Sequence, residues 1–228
     1  MALTAQAAIT RADDIIQDQT NVRWPVPELL RWFNDGRREV AIVRPDIYAV
    51  TVTADLVAGT KQSLPADGCR FIDAVRNMPG GAAGRAVRIV EREVLDAQMP
   101  DWHTLTPSAE IRHFMFDERA PRTFYVYPPA APGTKLEIVY AQAPTEFTAA
   151  TDVLSADEEL YMGAFVDYIC FRAFSKDSEY AGNAQRAAGH YQQFANALGI
   201  GARTGAITSP NTANVGGMPP RAAVAAGA

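Results

Sequence analysis

His103 and His113 flank Glu110, and Asp101 and Asp117 stand nearby, so this stretch holds the residue types that bind a divalent metal. A metal site needs ligands at i and i+4 on one helix, or a dense cluster. The spacing across a loop supplies neither, and surface or half-buried imidazoles are expected here. Ser108, His113 and Asp117 are also the residue types of a nucleophilic triad. No G-x-S-x-G turn surrounds Ser108, and a triad is defined by geometry rather than by spacing. A catalytic reading would make the protein a small hydrolase using His103, His113 and nearby carboxylates, and it predicts a deep pocket.

Other chemistry is weaker still. Pro79-Gly-Gly-Ala-Ala-Gly-Arg85 has glycines like a phosphate loop but lacks the Lys-Ser/Thr that contacts phosphate and magnesium. A hairpin tip is expected. Asp157, Glu158 and Glu159 could share acid-base work, but adjacent helical residues point in different directions. Phe124, Tyr125 and Tyr127 could stack bases; with mixed charges around them, sheet core is the better reading. No catalytic group, metal site or cofactor is expected.

The elements that would position these residues follow from periodicity. Ala5, Ile9, Ala12 and Ile16 make one stripe of a helix from Thr4 to about Asp18, with Asp13, Asp14 and Asp18 facing away. Trp24 should be a buried wedge before Pro25. Pro27 opens a second helix with the stripe Leu29, Phe33, Gly36, Val40 and Val43, and Pro45 stops it. Gly36 in mid-helix suggests the close approach of another backbone.

From Asp46 to Ala143 the period falls to two. Strands are expected at 47–53, 61–64, 70–78, 87–90, 114–116, 123–127 and 135–140, the last two as partners across a rigid turn at Pro128–Gly133. Arg92 to Gln98 should form one or two helical turns.

Ser155-Ala-Asp-Glu158 is a capping box. It opens a helix to Phe174 whose apolar residues cover more than one face, so neighbours on several sides are expected. Asp177 or Ser178 should cap a second helix with the stripe Tyr180, Ala184, Ala187, Tyr191, Phe194 and Leu198, ended by Gly199 and Gly201. The hairpin looks too apolar to be covered by its own chain, so copies should stand side by side. The expected fold class is therefore α+β. A four-helix bundle core (4–44 and 155–198) carries a β-rich insertion (46–143), and an extended C-terminal tail (199–228) follows. No internal repeat is visible.

Composition bounds the function. The chain has 228 residues, 48% hydrophobic and 21% charged, with net charge −5. That balance argues against a general nucleic-acid binder, which needs a basic face. Cys69 and Cys170 lack CxxC spacing and are expected as core thiols in a reducing compartment. No signal peptide or membrane span is expected. Residues 199–228 are mostly Gly, Ala, Pro, Asn and Thr, and such a segment buries too little apolar surface to offset its ordering entropy.

Trp24-Pro25 before Glu28-Leu-Leu-Arg-Trp-Phe-Asn-Asp-Gly-Arg-Arg-Glu39, followed by Arg44-Pro45, resembles the opening of tailed-phage head-tail adaptor (connector) proteins. Asp73-Ala-Val-Arg76, Arg92–His103 and Phe124-Tyr-Val-Tyr-Pro-Pro129 extend the resemblance over most of residues 4–198. The resemblance implies a virion protein at the head-tail interface, made in the host cytoplasm. It implies a homo-oligomeric ring, usually a dodecamer, that binds the portal above and a tail or nozzle protein below. Double-stranded DNA would pass non-specifically through its centre during ejection, with no membrane involved. The C-terminal arm would reach the portal. Tyr161, Tyr168 and Tyr180 on the hairpin, with Val215, Met218 and Arg221 on the arm, are the candidate contact residues. A lower tail subunit, for a nozzle or fibre attachment, is the alternative within this class, and a solitary monomeric binding module is the alternative outside it.

Overall fold

A computed structural model describes residues 2–180 and 182–208, with 200–208 as backbone. Candidate residues Val215, Met218 and Arg221 lie outside this range. The chain forms two compact units. A helical unit takes the sequence up to Gly36 and from Thr148 onward, and a β unit comprises Arg37–Phe147. The class is α+β.

In the helical unit, α1 (Ala5–Ile16) buries Ala5, Ile9 and Ala12 of the expected stripe, with Ala8 beside them, while Ile16 at its end is only half-buried. Asp13 and Asp18 do not face away; both are buried. The reason is the connector that follows. The Asp18 carboxylate accepts the backbone amides of Val22 (3.0 Å), Arg23 (2.9 Å) and Trp24 (2.7 Å). Asp13 Oδ2 accepts from Asn21 Nδ2 at 3.0 Å. This knot seats Trp24 against Trp32, ring centroids 5.4 Å apart, so the wedge is real.

Helix α2 (Val26–Val43) starts one residue before Pro27 and passes from the helical unit into the β unit. Its first half packs Phe33 edge-on to Phe165, centroids 5.1 Å apart. Gly36 meets the ring of Tyr168, not another backbone.

The capping box forms as expected. Glu158 N–H donates to Ser155 Oγ (3.3 Å), and Ser155 N–H donates to Glu158 Oε2 (2.9 Å). The helix it opens is broken, however. α4 (Ala156–Glu159) is a single turn, and α5 (Met162–Lys176) starts afresh after Tyr161. Neither Asp177 nor Ser178 opens α6 (Asn183–Thr208). Instead Asn183 Nδ2 donates to the Asp177 carbonyl and carboxylate. Nor do Gly199 and Gly201 end α6, which continues to Thr208. An interior glycine costs only about 1 kcal/mol against alanine, which the surrounding helix formers absorb.

α5 is covered by its own chain. α1 and α6 pack along it, and Met162, Phe165, Val166, Tyr168, Ile169 and Cys170 are all buried. The expectation that copies must cover the hairpin fails for this helix, because α1 fills the face assumed to be bare. A regular four-helix bundle is not what assembles: α5 is the hub, and only the first half of α2 belongs to the unit.

The β unit holds two sheets. One has the order β1 (Ala49–Asp55), β7 (Lys135–Gln142), β3 (Gly68–Asn77). The other runs β2 (Gly59–Ser63), β6 (Thr123–Ala130), β5 (His113–Phe116), β4 (Arg88–Ile89). Strands β6 and β7 are consecutive but not partners. β6 is flanked by β2 and β5, and β7 by β1 and β3. The supposed turn at Pro128 is still strand, because Pro129 O accepts from Ser108 N–H and Ala130 faces Gly59. The chain changes sheet only at 131–134, where Gly133 has φ 80°. Phe71 of β3 stacks on Phe124 of β6, centroids 4.4 Å apart. Around that stack lie Phe114, Leu136, Ile138 and Tyr140. The 92–98 helix is α3 (Arg92–Gln98).

Candidate functional site

The residues that could do chemistry are not brought together. His103 Nδ1 lies 2.8 Å from Thr60 Oγ1, and its ring stacks on Trp102 at 3.7 Å. Trp102 Nε1 in turn donates to Asp96. His113, on β5, faces Tyr127 across the ladder. Burial, above all, holds its imidazole below the usual range; a backbone hydrogen bond at Arg88 opposes this, and the charges of Arg85, Arg88 and Arg112 add to it. Glu110 pairs with Arg85 at 2.9 Å. No cluster of three or more His, Cys, Asp or Glu suited to a metal ion exists among the described residues.

The triad types are equally scattered. Ser108 Oγ donates to Glu110 O and accepts from Glu110 N–H, a local turn. Asp117 accepts from the amide of Arg119. Ser108 bridges to the far end of β6, whereas Phe116, next to Asp117, faces its near end. At about 3.3 Å per residue, His113 and Asp117 stand too far apart along β5 to share a proton.

The Pro79–Arg85 loop turns its amides inward. Gly81, Ala82 and Gly84 donate to the carbonyls of Met78, Pro79 and Asn77. These three amides are therefore spent within the loop and do not point at a phosphate. Of the acidic trio, Glu158 closes the capping box and Glu159 accepts from the Leu3 amide at 2.6 Å. Phe124 is core, while Tyr125 and Tyr127 project from the opposite face, Tyr125 edge-on to Trp102 and Tyr127 towards Met99. The three rings therefore share no stacking platform. Both thiols are poor nucleophiles: burial, with Asp167 and Asp13 adding to it, pushes Cys170 up to about 12, and burial raises Cys69 too.

Among the candidate contact residues, Tyr168 is buried between Phe171 and Phe194 and belongs to the helical core. Tyr161 is half-buried. Tyr180 is 64% exposed, with the Arg23 guanidinium over its ring. The surface instead offers shapes for other proteins. In the helical unit Leu160, at the α4–α5 break, is 82% exposed, and among residues 183–199 of α6 only Ala187, Phe194 and Leu198 are buried. In the β unit an apolar groove of about 430 Å³ runs beside Ile42, Cys69, Pro121 and Ala143, with Arg38, Arg70 and Glu118 at its rim. The open edge of β1 is a third such surface. Sequence reasoning missed Ile42 and Leu160, because an exposed apolar residue beside a buried stripe reads as part of that stripe. The signal for β1 was present: alternation without a single lysine or proline.

The α+β chain holds these reactive groups in local contacts and leaves apolar residues such as Ile42 and Leu160 on its surface, which are candidate contacts for other proteins. In agreement, the family model for the SU10 adaptor protein matches residues 3–215. The chain belongs to that family, a phage head-tail adaptor family. No curated protein matches it. Family membership makes it a virion component that contacts other head and tail proteins of a bacteriophage. No helix among the described residues is long and apolar enough to cross a membrane.

Proposed function

We propose that this protein is the subunit of an adaptor ring, a dodecamer if it follows the form that the sequence resemblance implies, that joins the portal of a tailed bacteriophage to its tail and forms part of the DNA channel. The observation that carries the proposal is the family match across residues 3–215. Two further points support it. A net charge of −5 suits a channel wall that repels phosphate, so that DNA slides rather than sticks. The Ala/Gly/Pro-rich sequence beyond Thr208 suits an arm that orders on a partner.

Electron microscopy of the protein mixed with portal tests this. The expected image is a ring with a central hole seated on the portal. A ring that ignores portal would make the protein a lower tail subunit, and a globular monomer that ignores portal would overturn the proposal.

A further inference from the structure

Every edge of the two sheets is blunted except one. β3 has three register shifts, and its outer flank bonds to Pro121, Arg85 and Val87. β2 carries a shift at Gly59/Lys61, and the side chain of Gln62 ties up the turn beside it. β4 is two residues long. These are the ways natural proteins protect sheet edges.

β1 has none of them. Its register against β7 is unbroken for seven residues. It contains no proline and no lysine; its one charge, Asp55, sits at the end and pairs with Lys135. Among the described residues the outward backbone groups of Thr51 and Thr53 make no backbone hydrogen bond, and on that flank Ala49, at the strand's start, donates to the Asp46 carbonyl. Val50, Val52 and Ala54 lean on the core shared by the sheets yet are only partly buried, because no strand stands beside them. The core ends at an open flank that wants one more strand.

The sequence of β1 says which strand fits. Laid antiparallel against itself about Val52, the segment Ala49-Val-Thr-Val-Thr-Ala-Asp55 sets Val52 opposite Val52, Val50 opposite Ala54 and Thr51 opposite Thr53. Val50, Val52 and Ala54 fall on the core side, and both threonines fall on the wet side with Ala49 and Asp55. Asp55 faces Ala49, so no like charges meet. Val–Val and Thr–Thr are favourable cross-strand pairs. A strand complementary to itself fits a second copy of this chain in an isologous contact.

We propose that free subunits pair through β1, making one continuous sheet across two copies. Such a contact closes at two copies and cannot itself build a ring. It therefore describes the subunit before assembly, when an uncovered edge would otherwise invite aggregation. The proposal does not depend on the ring reading and fails or stands separately. A pair of short strands buries less than a standard interface, so the dimer should be weak.

Sedimentation of the full chain at about 100 µM, a concentration chosen to populate a weak interface, gives the test. The wild type should show a monomer–dimer equilibrium. Thr51→Lys/Thr53→Lys puts lysine opposite lysine twice in the pair and should weaken it about tenfold. Thr51→Lys/Thr53→Glu removes the same two threonines but sets each lysine opposite a glutamate, and should keep the dimer. A partner strand other than β1 would not distinguish the two variants in this way. Val52→Cys should form a disulfide-linked dimer under mild oxidation that the wild type, with Cys69 and Cys170, does not. A monomeric wild type, equal behaviour of the two double variants, or failure of Val52→Cys to cross-link would overturn the proposal.

Discussion

Tyr168 presses its ring onto the backbone of Gly36: a Cβ built at Gly36 would stand 3.1 Å from Cδ1 and 3.2 Å from Cγ of the ring. That contact fixes how closely α2 approaches α5 in the helical unit. The ring has little room to yield, since it is buried and held by Phe171 and Phe194.

Gly36→Ala sets two effects against each other. Alanine favours the helix by about 1 kcal/mol. Overpacking a closed site costs roughly 1–3 kcal/mol. We expect the second to win, with a net loss of about 1 kcal/mol in urea unfolding. A stabilised variant would show that Tyr168 moves aside.

Asn77 is the polar pin of the β unit. Its Nδ2 donates to the carbonyls of Ile111 (2.7 Å) and Arg85 (2.9 Å), and its Oδ1 accepts the Ile111 amide at 2.8 Å. The side chain is buried. Asn77→Ala leaves the amide and carbonyl of a buried residue without partners, at a cost of about 2–4 kcal/mol. Asn77→Asp should be at least as damaging, because a carboxylate would face two carbonyls. Thermal denaturation would register the loss, and an unchanged melting temperature for either variant would refute the pin.

Asp18 should control the environment of Trp24. Asp18→Ala strips the acceptor from three amides, one of them the buried amide of Trp24. A loss of about 2–3 kcal/mol is expected, together with a red shift in tryptophan emission as the Trp24–Trp32 pair loosens. An unaltered emission spectrum would mean the ring is held by packing alone.

Asp13 gives a pH dependence of defined sign. Burial, above all, raises its pKa over the usual carboxylate value; Asn21 opposes this, and Asp18 and Asp14 add to it. One of its oxygens is buried without a hydrogen-bond partner. A raised folded pKa means that the native state holds the proton more tightly than the unfolded chain does. Its contribution to stability is therefore full below the unfolded value of about 3.8 and is lost as pH rises through the raised one. Asp13→Asn should remove this component: the stability difference between variant and wild type should shift in favour of the variant as pH rises from 3 to 7. A difference that stays constant with pH would exclude the assignment.

What could be read from the sequence was local. Ser155 and Glu158 declare a capping box because both members and both amides lie within four residues. The stripe of α1 and the alternation of β1 and β7 are likewise near-neighbour patterns. Strand partnership was misread, because Thr123–Tyr127 and Lys135–Tyr140 look like a hairpin until β2 and β1 claim their flanks. Asp18 looked solvent-facing since its three partners follow the helix rather than face it. Asn77 gave no signal at all: its partner Ile111 is remote in sequence. Ser108, His113 and Asp117 carried the residue types of a triad in the sequence, and only their placement on separate rungs shows that these three do not form one.

The helix boundary at Thr208 sharpens the test of the proposed arm. Removing residues 200–228 would cut into α6, so a loss of portal binding could reflect a damaged helix. Removing 209–228 spares every described element. That truncation carries away Val215, Met218 and Arg221 and keeps Phe194 and Leu198. We expect its melting temperature to match the full chain within about 2 °C, a shift corresponding to about 0.5–1 kcal/mol at this size. Its co-sedimentation with portal should fall about tenfold or more, the loss of an ordered segment's contacts. Full affinity after truncation would place the portal contact elsewhere, with the groove beside Ile42 the next surface to alter.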